Sequence, residues 1–384
     1  MKLTDDIRRT ANALARLSLN EDKGHLDHPE DLIFTQGSSG ASRALQAIVD
    51  TAKNPHKITI KFDGYPALIF GRDANGRFSI MDKHMFNKKD GSGRNVHSPQ
   101  EFRQYDLARG VDRSQLHQLI NEIWAGLEKA SSAATGYFWG DLLFSQPLKV
   151  QHGLFKFKAN PNGITYTVVE DSEVGNLLGG KQAGIAIHQF LSPDALTTDQ
   201  AQPLNGTIGR LQNNSNVAIV PSAMPNTPQI KLDAGLVGQV KNSIAKYGAA
   251  VDEMMNTAPQ ARSTFNGLFT VYINKKIVSG NLDNMVSDFM HYFENKSANP
   301  GGMEMQLSNH FHEHEQGLVG AFTIWIALYQ LKMSIVSQLD EAARESPVKG
   351  YLDNGKETHE GFVSNGLKFV DRLGFSAQNL AGQR

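Results

Sequence analysis

The segment Ile58-Thr59-Ile60-Lys61-Phe62-Asp63-Gly64 sets a lysine amine beside a carboxylate and a glycine, a combination able to bring a nitrogen nucleophile to a phosphorus atom. Ile58, Ile60 and Phe62 alternate with Thr59, Lys61 and Asp63, so on a strand the amine and the carboxylate share the polar face. Gly64 permits a sharp turn or the close approach of a ligand, and Tyr65-Pro66 ends the strand before a new apolar run, Ala67 to Phe70. A Lys-x-Asp-Gly tetrapeptide alone is a weak signal, and a lysine on a strand is most often a solvated edge residue. Its weight depends on companions elsewhere in the chain.

Two later segments supply companions. Tyr137-Phe138-Trp139-Gly140-Asp141-Leu142-Leu143-Phe144 reads as a buried strand with one carboxylate, and a lone Asp among apolar residues asks for a hydrogen-bond or cationic partner. Near the C-terminus, His359-Glu360-Gly361-Phe362-Val363 and Leu367-Lys368-Phe369-Val370 read as two short strands joined by a Ser364-Asn365-Gly366 turn. They add a second carboxylate, Glu360, and a second lysine, Lys368.

In type and order these residues resemble the covalent nucleotidyltransferase superfamily of ATP-dependent RNA and DNA ligases and mRNA capping enzymes. That superfamily has a nucleophilic lysine in Lys-x-Asp-Gly, an acidic residue after Gly in an aromatic strand, a Glu-Gly-aliphatic strand and a final lysine strand. Lys61-Phe62-Asp63-Gly64, Gly140-Asp141, Glu360-Gly361-Phe362-Val363 and Leu367-Lys368 follow that sequence of motifs. The resemblance covers about 56–190 and 355–375 and is most like RNA ligases of phage type.

The resemblance implies that Lys61 attacks the α-phosphorus of ATP, expelling pyrophosphate and leaving a lysyl-nucleotide, while Lys368 stabilises the charge growing on the phosphate. The attacking amine must be neutral, and Mg2+ or Mn2+ together with Lys368 are the natural agents for depressing its pKa. Asp141 and Glu360 would hold the metal, and Asp63, Gly64, Tyr166, Lys83 and Lys88, with Lys89, would contact the nucleotide or a phosphate chain. The partner so implied is nucleic acid, RNA ahead of DNA, in the cytoplasm, or in a host's cytoplasm for a phage-encoded chain. Two departures stand out: Tyr65-Pro66-Ala67 occupies the place where DNA ligases usually carry an arginine, and Arg384 follows Lys368 too closely for an oligonucleotide-binding barrel. A non-catalytic nucleotide-binding or assembly protein that kept the fold is the second reading, and a DNA ligase-like or capping-type enzyme a third.

The elements that must position these residues give an α+β expectation: a mostly antiparallel β ligase-adenylation domain with an N-terminal helical segment and a large helical insertion. Residues 1–50 read as a helix (Ile7, Ala11, Leu14, Leu17), a polar loop and a second helix beginning near Ser42, packed on the core. The loop Gln36 to Ser42 reads either as an anion site at a helix start or as an ordinary capped start. Residues 51–190 form the core, with hairpins at Asn75-Gly76 and at Asn160 to Gly163 and helices over 99–109 and 113–131. Residues 191–230 read as a linker, 231–350 as a helical insertion and 351–384 as strands completing the core.

The chain has 384 residues, 40% of them hydrophobic, a formal net charge of -1 and no cysteine, which excludes disulfides, thiolate metal sites and a Cys nucleophile. Nucleic-acid contact must then come from a local basic surface, and residues 53–94 are locally enriched in lysine and arginine. The first residues lack an apolar signal-peptide core, and the apolar run Leu318 to Leu331 is too short to cross a bilayer and reads as a buried helix, so no membrane partner is expected. His310, His312 and His314 with Glu313 and Glu315 offer metal-ligand types, but on a helix His310 and His314 would stack and His312 would point elsewhere, giving a polar helix start instead. Lys156 and Lys158 share one strand face, equally readable as a phosphate border and as a solvated edge.

Overall fold

The helical and alternating apolar patterns become a mixed α+β fold. The computed structural model describes residues 27–55, 58–60, 64–159, 164–204, 207–212, 216–221, 229–259, 262–294, 303–344, 346–351, 355, 357–358 and 361–376. In chain order the elements are α1 (Leu32–Lys53), β1 (Thr59–Ile60), β2 (Ala67–Arg72), β3 (Phe78–Asp82), α2 (Lys83–Phe86), α3 (Pro99–Ala108), α4 (Ser114–Ala130) and β4 (Gly136–Phe144). There follow β5 (Val150–Gln151), β6 (Leu154–Lys158), β7 (Thr165–Val169), α5 (Glu173–Leu178), β8 (Ala183–Leu191), β9 (Gln202–Pro203) and β10 (Val217–Pro221). The remainder is α6 (Ala234–Asn256), α7 (Arg262–Ser279), α8 (Met285–Glu294), α9 (Met303–Glu313), α10 (Glu315–Ala343), β11 (Val348–Tyr351), β12 (Glu357–Thr358), β13 (Phe362–Ser364) and β14 (Leu367–Phe369). The helix expected around Ile7 to Leu17 lies outside the described residues.

The chain divides into two units, one of Met1–Ile58, Thr227–Ala342 and Gly361–Arg384, the other of Thr59–Asn226 and Ala343–Glu360. Residues 351–384, expected to complete the 51–190 core, divide instead, and those from 361 onward group with the helices. Local bonds explain the grouping: Thr51 Oγ1 donates to Ser364 Oγ at 2.9 Å, and the Lys368 amide donates to the Asp27 carbonyl at 2.9 Å.

In the mainly β unit, β10, β8, β4, β2 and β3 lie side by side in that order, with β9 also paired to β8. The pairs are antiparallel except β8 with β10. The Asn75-Gly76 turn, with Gly76 at φ 79°, closes the β2–β3 hairpin. Helix α4 buries Leu119, Ile120, Ile123, Trp124 and Leu127, a stripe at helical spacing, and Trp124 meets Phe78 of β3 edge-on at 5.4 Å. Each such buried side chain stabilises the unit by about 1.5–3 kcal/mol. A second sheet orders β12, β11, β7, β6 and β5.

The stretch read as a linker contributes to the first sheet. Val217, Ala218, Ile219 and Val220 are buried and pair with Ala183 to Ala186 of β8, a four-residue apolar run that the surrounding Pro, Asn and Gln disguise.

In the mainly helical unit, Phe34, Phe265, Phe269, Phe289, Phe311 and Phe322 bring α1, α7, α8, α9 and α10 to one aromatic core, Phe34 stacking on Phe269 at 4.6 Å and Phe269 on Phe289 at 5.1 Å. Helix α1 begins at Leu32, ten residues ahead of the start read at Ser42, because Leu32, Ile33 and Phe34 are buried. The polar loop read over 36–42 is a break inside this helix at Gly37, φ 64°. The Ser38 amide donates to Asp252 Oδ1 at 2.8 Å and its hydroxyl to Oδ2 at 2.5 Å, so α6 supplies the anion that this helix start attracts. A Cβ on Gly37 would lie 2.2 Å from Asp252 Oδ1.

Helix α10 is long and apolar enough, by length and composition, to cross a membrane, yet 67% of its most apolar window is buried within the protein. It also carries Lys332, fully buried 2.5 Å from the fully buried Glu30 carboxylate. Burial depresses the Lys332 pKa, and Glu30 opposes that depression without cancelling it. Arg372 pairs with Asp31 at 2.8 Å and donates to Asn274 at 2.9 Å, and the Trp325 indole donates to the same Asp31 at 2.8 Å. Such a network is costly to desolvate and costly to break, since removing one partner strands a buried charge.

Candidate active site around Asp141

Asp141 lies in β4, flanked in register by Ala67 of β2 and Ala186 of β8. The turn that follows Lys61 is stitched to this point: the Tyr65 amide donates to the Leu142 carbonyl at 3.1 Å, and the Leu142 amide to the Pro66 carbonyl at 3.1 Å. The Gly64 amide points at Asp141 Oδ2 from 3.4 Å, a long contact. A side chain at Gly64 would force the turn to shift, since a Cβ would lie 2.1 Å from the Leu142 carbonyl oxygen.

A second partner comes from β8. His188 Nε2 lies 3.3 Å from Asp141 Oδ2, both side chains being about four-fifths buried. The β4–β8 register shifts between Trp139 and Gly140, so Trp139 faces Gln189 while Gly140 faces Ile187, and His188 occupies the irregularity. Bulges of this kind re-aim a side chain. Among the described residues, both Asp141 contacts fall on Oδ2. The Asp141 carboxylate is an oxygen donor of the type that hard divalent cations take.

Lys83 opens α2 and holds its ammonium 5.7 Å from the ring centre of Trp139, the residue that shares a strand face with Asp141. Lys88 pairs with Asp90 at 3.4 Å and lies 5.1 Å from the ring centre of Tyr105. Tyr166 is a core residue of β7, its ring 5.6 Å from Phe157, which in turn meets Phe144 of β4 at 5.7 Å.

Lys61, Asp63 and Glu360 lie outside the described residues, as does Phe62. Lys368 is half-buried on β14, opposite Val363 of β13 across a hairpin whose Asn365-Gly366 turn has φ of 52° and 72°. Of the residues singled out from sequence, the structure therefore brings Gly64 and Asp141 together, and sets Lys83 beside Trp139.

His188 escaped the sequence reading. Its only trace there is an imidazole in the apolar run Ile185-Ala186-Ile187-His188. A second polar cluster also went unread: fully buried Asp106 accepts from Arg109, Arg113 and His117 at 2.7 to 2.8 Å, and both arginines also reach Asp82. Burial raises the Asp106 carboxyl, but the bonds from His117, Arg109 and Arg113 outweigh it and hold the group below the usual carboxylate range.

No group of three or more His, Asp or Glu side chains suited to a metal occurs among the described residues. His310 and His314 lie 4.5 Å apart with rings tilted by 52°, but the polar helix start expected here is a helix end: His310 and His312 close α9, and His310 is buried. His310 Nε2 bonds the Met254 carbonyl at 2.9 Å and His314 Nε2 the Thr257 hydroxyl at 3.1 Å.

Residues 22–384 match the model of a family described as a family of unknown function, DUF6267. No curated protein and no solved structure matches.

Proposed function

We propose that this chain, which belongs to the DUF6267 family, is an ATP-dependent, ligase-like nucleotidyltransferase acting on polynucleotides, RNA foremost. Lys61 Nζ, as the neutral amine, forms a bond to the α-phosphorus of ATP while the bond to the pyrophosphate oxygen breaks, giving a lysyl-AMP and free pyrophosphate. A 5′-phosphate oxygen then takes the AMP from the lysine. A 3′-hydroxyl next attacks that activated phosphate, joining the strands and releasing AMP. Asp141 and Glu360 are the residues that would hold Mg2+ or Mn2+, which supplies charge neutralisation at the phosphates when bound. Lys368 and Lys83 add positive charge there, and Asp63 contacts the nucleotide.

The observation that carries this reading is the contact between Gly64 and Asp141. Residues 77 positions apart, each from a different motif of the resemblance, meet at one point of the sheet. The β2–β4 register, with Ala67 opposite Asp141, sets this contact, and it supports the reading by placing the two motifs on neighbouring strands.

Incubation of the full chain with α-labelled ATP and magnesium tests the proposal. The expected result is a label that survives denaturation and is absent from Lys61→Ala. Nick sealing on RNA, DNA and hybrid duplexes then selects the polymer, and labelled GTP tests a capping-type reaction. The exposed Tyr65 and the absent arginine favour, as the second reading, a nucleotide-binding protein without the chemistry. ATP binding with no covalent label in the wild-type chain would establish it.

A further inference from the structure

The outer face of the second sheet is ordered by register. Phe155, Phe157, Tyr166, Val168 and Val348 turn to the buried side. On the opposite side, Lys156, Thr167 and Lys349 stand in one row across β6, β7 and β11, and Lys158, Thr165 and Tyr351 in the next. Lys156 and Lys158 are exposed, and the other four are half-buried. Glu357 of β12 is an acid facing this array, 3.5 Å from Lys349, with both side chains about one-third exposed.

Same-face neighbours on a strand are about 6.6 Å apart and adjacent strands about 4.8 Å apart, so the backbone positions that carry these lysines repeat on the scale of successive phosphates in an extended polynucleotide. The threonine hydroxyls between them add donors to phosphate oxygens. Tyr351 ends one row with an aromatic ring, and half-buried Leu154 and exposed Val169 extend the same face with apolar surface. Positive charge, hydroxyl donors and a ring on one open face match a single nucleic-acid strand, whose backbone is anionic and whose bases are unstacked.

We propose that this sheet face is a docking surface for a single-stranded nucleic acid, with Lys156, Lys158 and Lys349 on its phosphates and Tyr351 against a base. The choice of RNA rests on the ligase reading; the surface itself does not require the Lys61 chemistry.

Fluorescence anisotropy of the full chain with a labelled single-stranded RNA, repeated over a series of salt concentrations, tests it. Lys156→Glu/Lys158→Glu is expected to weaken binding by about tenfold or more, and to reduce the slope of log K against log salt by roughly 1.4, about 0.7 for each lost phosphate contact. Tyr351→Ala is expected to cost on the order of fivefold or more with an unchanged slope. Lys129→Glu, an exposed lysine on α4, controls for net charge, and thermal melting confirms that each variant is folded. The proposal is overturned if wild type does not bind, if the double variant loses no more than Lys129→Glu, or if anionic vesicles capture the protein through these lysines while RNA does not. Normal RNA binding without any label at Lys61 would remove the ligase reading alone. Labelling at Lys61 with undiminished binding by the double variant would remove the surface alone.

Discussion

His188 Nε2 lies 3.3 Å from Asp141 Oδ2 across β4 and β8, beside the register shift that separates Trp139 from Gly140. The residue that β8 gains at this shift is His188 itself. The imidazole therefore orients Asp141 through its Oδ2.

If Asp141 holds the catalytic metal, His188→Ala should raise the Mg2+ concentration for half-maximal self-labelling by about tenfold or more, the usual effect of losing a partner behind a ligand. His188→Gln, which keeps a donor, should restore part of it. An unchanged metal requirement in His188→Ala, with only a lower melting temperature, would make the histidine a packing residue.

Gly64 has the Leu142 carbonyl 2.1 Å from where a Cβ would stand, and backbone cannot swing aside as a side chain can. Gly64→Ala should cost roughly 1–3 kcal/mol in urea unfolding through forced displacement of the turn. If Lys61 is the nucleophile, it should also lower self-labelling by more than the stability loss explains, because Lys61 precedes this turn by three residues in the sequence. Full labelling in a folded Gly64→Ala would separate the turn's geometry from the chemistry.

Asp106 gives the mainly β unit an acid sensitivity of known sign. Its folded carboxyl titrates below the unfolded one, so the ionised form's stabilisation is complete above the ordinary value of about 3.9 and is lost as pH falls through the folded value. Asp106→Asn should lower stability at neutral pH by about 3 kcal/mol, since Arg109 and Arg113 lose one of the two carboxylates they share and keep only Asp82. It should also flatten the fall in melting temperature below about pH 4. A wild-type acid limb retained in Asp106→Asn would assign that limb to other carboxylates.

Much of the architecture was readable from residue patterns because it is local. The Asn75-Gly76 hairpin, the stripe on α4 and the helical block from Ala234 to Ala343 each follow from residues a few positions apart. What escaped was long-range. The break at Gly37 looked like a loop because Asp252, which answers Ser38, is 214 positions away. The buried strand Val217–Pro221 was hidden by its polar surroundings, and its partner β8 is contributed by a different segment. At the candidate site, Asp141 announced itself as a carboxylate in an aromatic strand, whereas His188 gains its position from a register shift that no local pattern encodes.

Asp31 and Arg372 are joined across 341 positions, and the same aspartate receives the Trp325 indole. On a ribosome the aspartate emerges long before the guanidinium, and in that interval Glu30 and Lys332 face each other without the second cation that lies 3.5 Å from Glu30 in the finished protein. The helical unit thus cannot close this network until Arg372 has been made, 341 residues after Asp31.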